Sequence, residues 1–137
     1  MARSALEPVS EAVYSTLNVS AMTALATGGI YDDVPQDTAY PFVWYTVREA
    51  DVAGTFGQVF QRCRIVVHCF SQYQGSQQAQ VIIDKAVDLL RGQTPSVTNY
   101  TALQLLHEGS TGLPDEDIGG VKTKHLMAEF ELTVSES

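Results

Sequence analysis

The chain has 137 residues, one domain's worth, and 45% of them are hydrophobic, a composition that excludes a disordered chain and a membrane protein. Eight Lys and Arg stand against sixteen Asp and Glu, for a formal net charge of -8. That balance excludes a protein whose task is to grip nucleic acid by its phosphates, since the grip needs cations. It leaves room for DNA passing nearby, because an acidic surface lets DNA slide, and the same charge also serves plain solubility. No apolar run approaches the ~20 residues of a bilayer span. Residues 1–8 lack the apolar core of a secretion signal, so none is expected.

In chain order, Leu6, Val9, Val13 and Leu17 recur at helical spacing, which predicts a helix over 5–17. Ser4 is placed to cap it with Glu7 as capping-box partner, Pro8 falls in the tolerant first turn, and Asn18 ends it. Ser20 opens a second short helix over 21–26, stopped by Gly28 and Gly29. Ile30-Tyr31-Asp32 is a brief apolar touch-down, and Asp32 and Asp33 suit a turn. After Pro35 and Pro41 comes the run Phe42-Val43-Trp44-Tyr45-Thr46-Val47, nearly all aromatic or β-branched. It predicts the first long strand. Its sequence leaves open whether Trp44 or Tyr45 faces inward. Residues 49–58, rich in Gly, Ala, Asp and Thr, read as the loop of a long hairpin. Phe56 near its tip either folds back over the sheet edge or anchors a partner.

Residues 59–71 predict a second long strand. Cys63, Ile65, Val67 and Cys69 share an apolar face that must meet the core, and Arg64, Val66, His68 and Phe70 share a mixed one. The two cysteines lie about 20 Å apart along such a strand, too far for a disulfide, so buried free thiols are expected. After Gln72–Gly75, Ser76 caps a helix over 77–91 with a broad stripe of Ala79, Ile82, Ile83, Ala86, Val87, Leu89 and Leu90. Lys85 and Arg91 lie toward its C-terminus and Gly92 ends it. Residues 94–101 read as a loop and 102–108 as a third strand. Residues 109–120, with four glycines and Pro114, read as a long flexible excursion. Residues 121–134 alternate cleanly: Leu126, Ala128, Phe130, Leu132 and Val134 on one face, His125, Met127, Glu129, Glu131 and Thr133 on the other. The predicted class is α+β, a single domain over 1–137. It is a mostly antiparallel sheet of about four main strands, with two α-helices packed on one face.

No catalytic motif is present: no Walker-type loop, no Gly-x-Ser-x-Gly, no Cys-x-x-Cys and no His-Glu-x-x-His. His68, His107 and His125 lack metal-pair spacing, and Cys63 and Cys69 share a face that His68 does not. Asp115, Glu116 and Asp117 lack the alternating spacing of a calcium loop and read as a solvated charge run. No catalytic residue, cofactor or metal is therefore expected.

The order of landmarks carries a resemblance. A short helix precedes Ile30-Tyr31-Asp32, Val34-Pro35 and Tyr40-Pro41-Phe42-Val43. A strand ends in Phe70-Ser71, Gly75 leads into a helix ending Leu89-Leu90, and the last strand carries Phe130. Over residues 5 to 134 the chain resembles the tail-completion, or tail-terminator, proteins of long-tailed bacteriophages, with Phe-Ser where members often carry Trp-Ser. The resemblance implies a non-enzymatic virion protein, assembled in the host cytoplasm. It would form a homohexameric ring that caps the tail tube, ends tube polymerisation and joins the tail to the head-completion or stopper protein. DNA would pass through its lumen without sequence-specific binding, and no membrane is involved. The mixed faces around His68 and Met127 would be covered by a neighbouring subunit. The loops at 50–58 and 109–120 would reach axial partners, with Asp51, Thr55, Phe56 and Gln58 in one and Thr111, Leu113, Asp115, Glu116 and Asp117 in the other. Competing readings are another neck component, such as a head-completion or tube-like ring subunit, and a small-ligand-binding α+β domain marked by a deep polar pocket.

Overall fold

The structure, a computed structural model, describes residues 5–36, 38–55, 58–73, 75, 77–92, 97–98, 100–118 and 120–136. Among these, helices α1 (Leu6–Leu17) and α2 (Ser20–Thr23) precede strands β1 (Ile30–Tyr31), β2 (Phe42–Thr55) and β3 (Gln58–Ser71). Helix α3 (Gln77–Gly92) and strands β4 (Tyr100–Ile118) and β5 (Val121–Glu136) follow. One sheet runs in the order β1-β2-β3-β5-β4. Its four long strands are antiparallel to their neighbours, while β1 pairs in parallel with β2. This is the expected α+β class with one short parallel strand added at the edge.

The core lies between the helices and one sheet face. Val9, Ala12, Val13 and Leu17 of α1 and Ala79, Ile82, Ile83, Ala86, Val87 and Leu90 of α3 are buried. They join one cluster with Val43, Tyr45, Cys63, Ile65, Val67, Cys69, Ala128, Phe130, Leu132 and Val134. The two-residue period of β3 and β5 therefore sorts inward from outward side chains as expected. Cys63 and Cys69 are buried and form no disulfide, and burial pushes the Cys69 thiol up to about 12, so it stays an unreactive thiol. Leu6 departs from its expected face and is partly exposed, while the smaller Ala5 and Ala12 sit inside.

Helix ends differ in detail. Ala5, not Ser4, stands at the α1 N-cap and offers no side-chain cap. Its own N–H instead donates to Oε1 of buried Gln61 at 2.8 Å, so a tertiary bond takes over what a cap would do. Ser4 and Ser76, expected as caps, lie outside the described residues. Asn18 does end α1, its N–H donating to the Tyr14 carbonyl. The second helix is a single turn over Ser20–Thr23, shorter than the 21–26 expected.

Two expected loops are strands instead. Residues 49–55 belong to β2 and residue 58 to β3, paired from Glu49↔Cys63 to Thr55↔Gln58 with a bulge between Glu49 and Asp51. Phe56 and Gly57 lie outside the described residues. Residues 109–118 belong to β4, paired with β5 as far as Ile118↔Val121. Local composition argues for loops in both places, but each segment has a strongly alternating partner strand beside it, and ladder bonds override weak propensity. The misfits are absorbed by bulges between Ala102 and Gln104, His107 and Gly109, and Leu113 and Glu116. Pro114 is tolerated because β4 is an edge strand.

Candidate partner-binding surfaces

Antiparallel pairing decides where the proposed contact residues go. The β2–β3 turn lies beyond the Phe60↔Ser135 pair, at the C-terminal end of β5. The β4–β5 turn lies beyond Ile118↔Val121, at the N-terminal end of β5. The two turns therefore sit at opposite ends of the sheet, roughly 45 Å apart at the usual rise per residue. Asp51, Thr55 and Gln58 are brought together at the first end as backbone neighbours of the hairpin; their side chains, and Phe56 altogether, lie outside what is described. Thr111, Leu113, Asp115, Glu116 and Asp117 lie along β4 toward the second end, opposite Met127, His125, Thr123 and Lys122 of β5.

That second group is not a loop surface but one side of a hairpin. Lys124 Nζ donates to Asp115 Oδ2 at 2.7 Å. Thr111, Leu113 and Asp115 also border an open groove of about 550 Å³ against Gln80, Ile83 and Asp84 of α3. The groove is open to solvent, and its one Lys is matched by a carboxylate. A second groove of about 350 Å³ between α2 and α3 is lined by Ala24, Leu25, Tyr73, Gln77, Gln78, Val81 and Ile82. Among the described residues no group of three or more His, Cys, Asp and Glu is placed to hold a metal.

The sheet face away from the helices has no covering layer among the described residues. Tyr45 points to the core and Trp44 to this open face. Trp44 stacks on His68 with ring centroids 4.4 Å apart and donates its Nε1–H to the Asp32 carbonyl at 3.0 Å. His68 Nδ1 and His125 Nε2 are 2.9 Å apart. Phe70 stacks on His125 at 4.1 Å and on Phe42 at 5.1 Å. The result is an aromatic ladder across β2, β3 and β5. One ring must give the other a proton to share, so at least one imidazole of the pair is a donor and the other a neutral acceptor.

Burial, then the neighbouring His125, then Arg48 lower the His68 pKa to about 4. Burial also lowers that of His125, against a smaller opposing pull from Glu116. An imidazole whose folded pKa lies below its unfolded value of about 6.5 binds more protons when unfolded. Its contribution to stability is therefore complete above pH 6.5 and is lost as pH falls toward 4. We expect His68 to account for about 1–2 kcal/mol of lost stability across that window once solvent screening of its partly exposed ring is allowed for. Urea unfolding at pH 7 and pH 5 checks it: His68→Phe should flatten the slope relative to the parent, and equal slopes would refute the assignment.

Sequence reading placed His68 and Met127 on a mixed face but did not pair His68 with His125. Parity alone put both rings outward; only the β3–β5 register, Phe70↔His125 and His68↔Met127, makes them diagonal neighbours.

Comparison with known proteins follows the same lines. No curated protein matches the chain. A solved structure titled "Virion of native gene transfer agent (GTA) particle" contains a chain of the same fold. It has a TM-score of 0.78 and 16% identity, and the match covers 98% of this chain and 99% of that one. Residues 11–135 match the family described as Tail completion protein gp17. With that match running through nearly every element of the fold, the chain belongs to the phage tail-completion protein gp17 family, structural proteins of the virion tail.

Proposed function

We propose that this single domain is a ring subunit that caps the tail tube, ends tube polymerisation and joins the tail to the head-completion or stopper protein, with DNA passing through the lumen. One observation carries the reading: two hairpins that end at opposite ends of one sheet, with a face between them that has no covering layer among the described residues. A subunit built so can touch one partner at each axial end while its flank meets a neighbour. The likeness to a chain of a gene transfer agent virion supports the same architecture. The role is read as non-enzymatic, in keeping with a family of structural virion proteins. DNA would slide past a chain of net charge -8 and would not be held by it.

A closed ring needs a heterologous interface, one patch fitting a different patch next door. We expect the isolated protein to be monomeric or weakly associated, with the tail tube completing the ring. Light scattering over a concentration series, followed by images of tails with the protein bound, tests both halves. A six-fold ring at the head end of the tail is the expected image. A tight dimer at every concentration, or a ring elsewhere in the neck, would overturn the reading in favour of another neck component.

A further inference from the structure

On the open sheet face, Arg48 of β2 stands directly opposite Arg64 of β3. Both are exposed, and Arg62 follows on the same face. Like charges at directly opposed positions destabilise a sheet pair, and they are conspicuous in a chain with only eight Lys and Arg. Arg64 holds Glu129 at 3.1 Å, but Arg48 has no carboxylate within ion-pair distance among the described residues. Beside the arginines on this face run Val66 and Met127, both half-buried. Leu106, 46% exposed, lies opposite Glu131 at the neighbouring edge.

The complement to this surface is on the same chain at the other end. The β4–β5 tip carries Ile118 and Val121, 39% and 43% exposed, directly paired with each other. Asp115, Glu116 and Asp117 precede them. These acids cannot reach the arginines within one molecule. Glu116 pairs with Thr123 and Arg64 with Glu131, eight positions apart on β5 or roughly 26 Å.

We propose that the β4–β5 tip of one copy docks on the open face of the next, setting Asp117 and Glu116 against Arg48 and Arg64 and Ile118 and Val121 against Val66 and Met127. The occupant is a second copy of this chain, because acids and an apolar pair match cations and an apolar strip. A nucleic-acid phosphate is the weaker occupant: it brings no apolar surface to Val66 and Met127, and it meets a chain of net charge -8. The contact is heterologous, so it propagates from copy to copy and can close. It rests on the ring reading and changes one part of it: the β4–β5 tip meets the neighbouring copy, and the β2–β3 end is left for an axial partner.

The test pairs disulfide trapping with charge exchange on the full chain. A chain carrying both Val66→Cys and Val121→Cys should give a ladder of cross-linked species on mild oxidation, and a mixture of the two single variants only dimers. In that background Arg48→Glu should cut the cross-linking yield by about tenfold, as should Asp117→Arg, and the two together should restore it. Circular dichroism of each variant separates lost contact from lost fold. Tail-bound rings of the parent chain, together with no cross-linking of the chain carrying Val66→Cys and Val121→Cys, overturn the contact and leave the ring reading standing. Absence of rings in the parent overturns both. Retention of a short DNA duplex that Arg48→Glu abolishes, with cross-linking unchanged, assigns the patch to phosphate and overturns the proposal.

Discussion

Replacing Phe130 with alanine is expected to cost about 3–5 kcal/mol, the range for deleting a fully buried phenylalanine. Phe130 has no exposed surface. It sits on β5, an interior strand hydrogen-bonded on both sides, opposite Ile65 of β3 and His107 of β4. Its ring centroid is 5.1 Å from that of His107. The helix layer lies above it on the same side of the sheet. Truncation therefore leaves a cavity bounded by strands that cannot close in, because each is locked in register by its neighbours. For a domain of this size the melting temperature should fall on the order of 10–20 °C. Phe130→Leu, which keeps most of the volume, should lose far less. A thermal melt in which the two variants are equally stable would show that the site tolerates collapse and would remove Phe130 from the centre of the core.

Gly28→Ala is expected to be the most damaging small substitution, costing about 3 kcal/mol at the upper end of overpacking. A Cβ there would sit 1.8 Å from the Ala39 carbonyl oxygen and 2.7 Å from that of Pro41. Both are backbone atoms, so no side chain can swing aside. The crowding has a purpose visible in the bonds around it. Gly28 N–H donates to the Pro41 carbonyl at 2.8 Å, and Val43 N–H to the Gly29 carbonyl at 3.0 Å. The Tyr31 hydroxyl donates to the Gly28 carbonyl at 2.6 Å. Together these hold β1 beside the start of β2 and place the Asp32 carbonyl under the Trp44 indole. Pushing the backbone apart releases that set and loosens the aromatic ladder on the open face. Gly75→Ala is the control: its φ of +85° makes the change strained, but nothing lies within 4 Å, so about 1 kcal/mol is expected. Chemical denaturation of both variants decides it, and Gly28→Ala must be clearly the worse of the two. Loss of the Trp44 environment, read by fluorescence, should accompany it.

Residue spacing alone carried the class, the helix layer and the inward faces of the long strands. Ala79, Ile82, Ile83, Ala86 and Leu90 at helical spacing, and Cys63 to Cys69 and Leu126 to Val134 at alternate positions, leave one way to bury a continuous apolar surface. Family membership was legible too, in the order of short landmarks from Ile30 to Phe130, and the match over residues 11–135 confirms it. Segments with weak local preference were not legible. Residues 50–55 and 109–118 have the composition of loops, yet they are strands because β3 and β5 offer them ladder bonds that no local window contains. The site followed the same division. Sequence placed Asp51 and Thr55 in one group and Asp115 to Asp117 in another, but only the antiparallel pairing sends the two groups to opposite ends of the sheet. Only the β3–β5 register brings His68 to His125, and only the β2–β3 register sets Arg48 against Arg64. Periodicity is a property of each strand by itself and determines which way a side chain points. Register is a property of two strands together, and it determines which side chains meet.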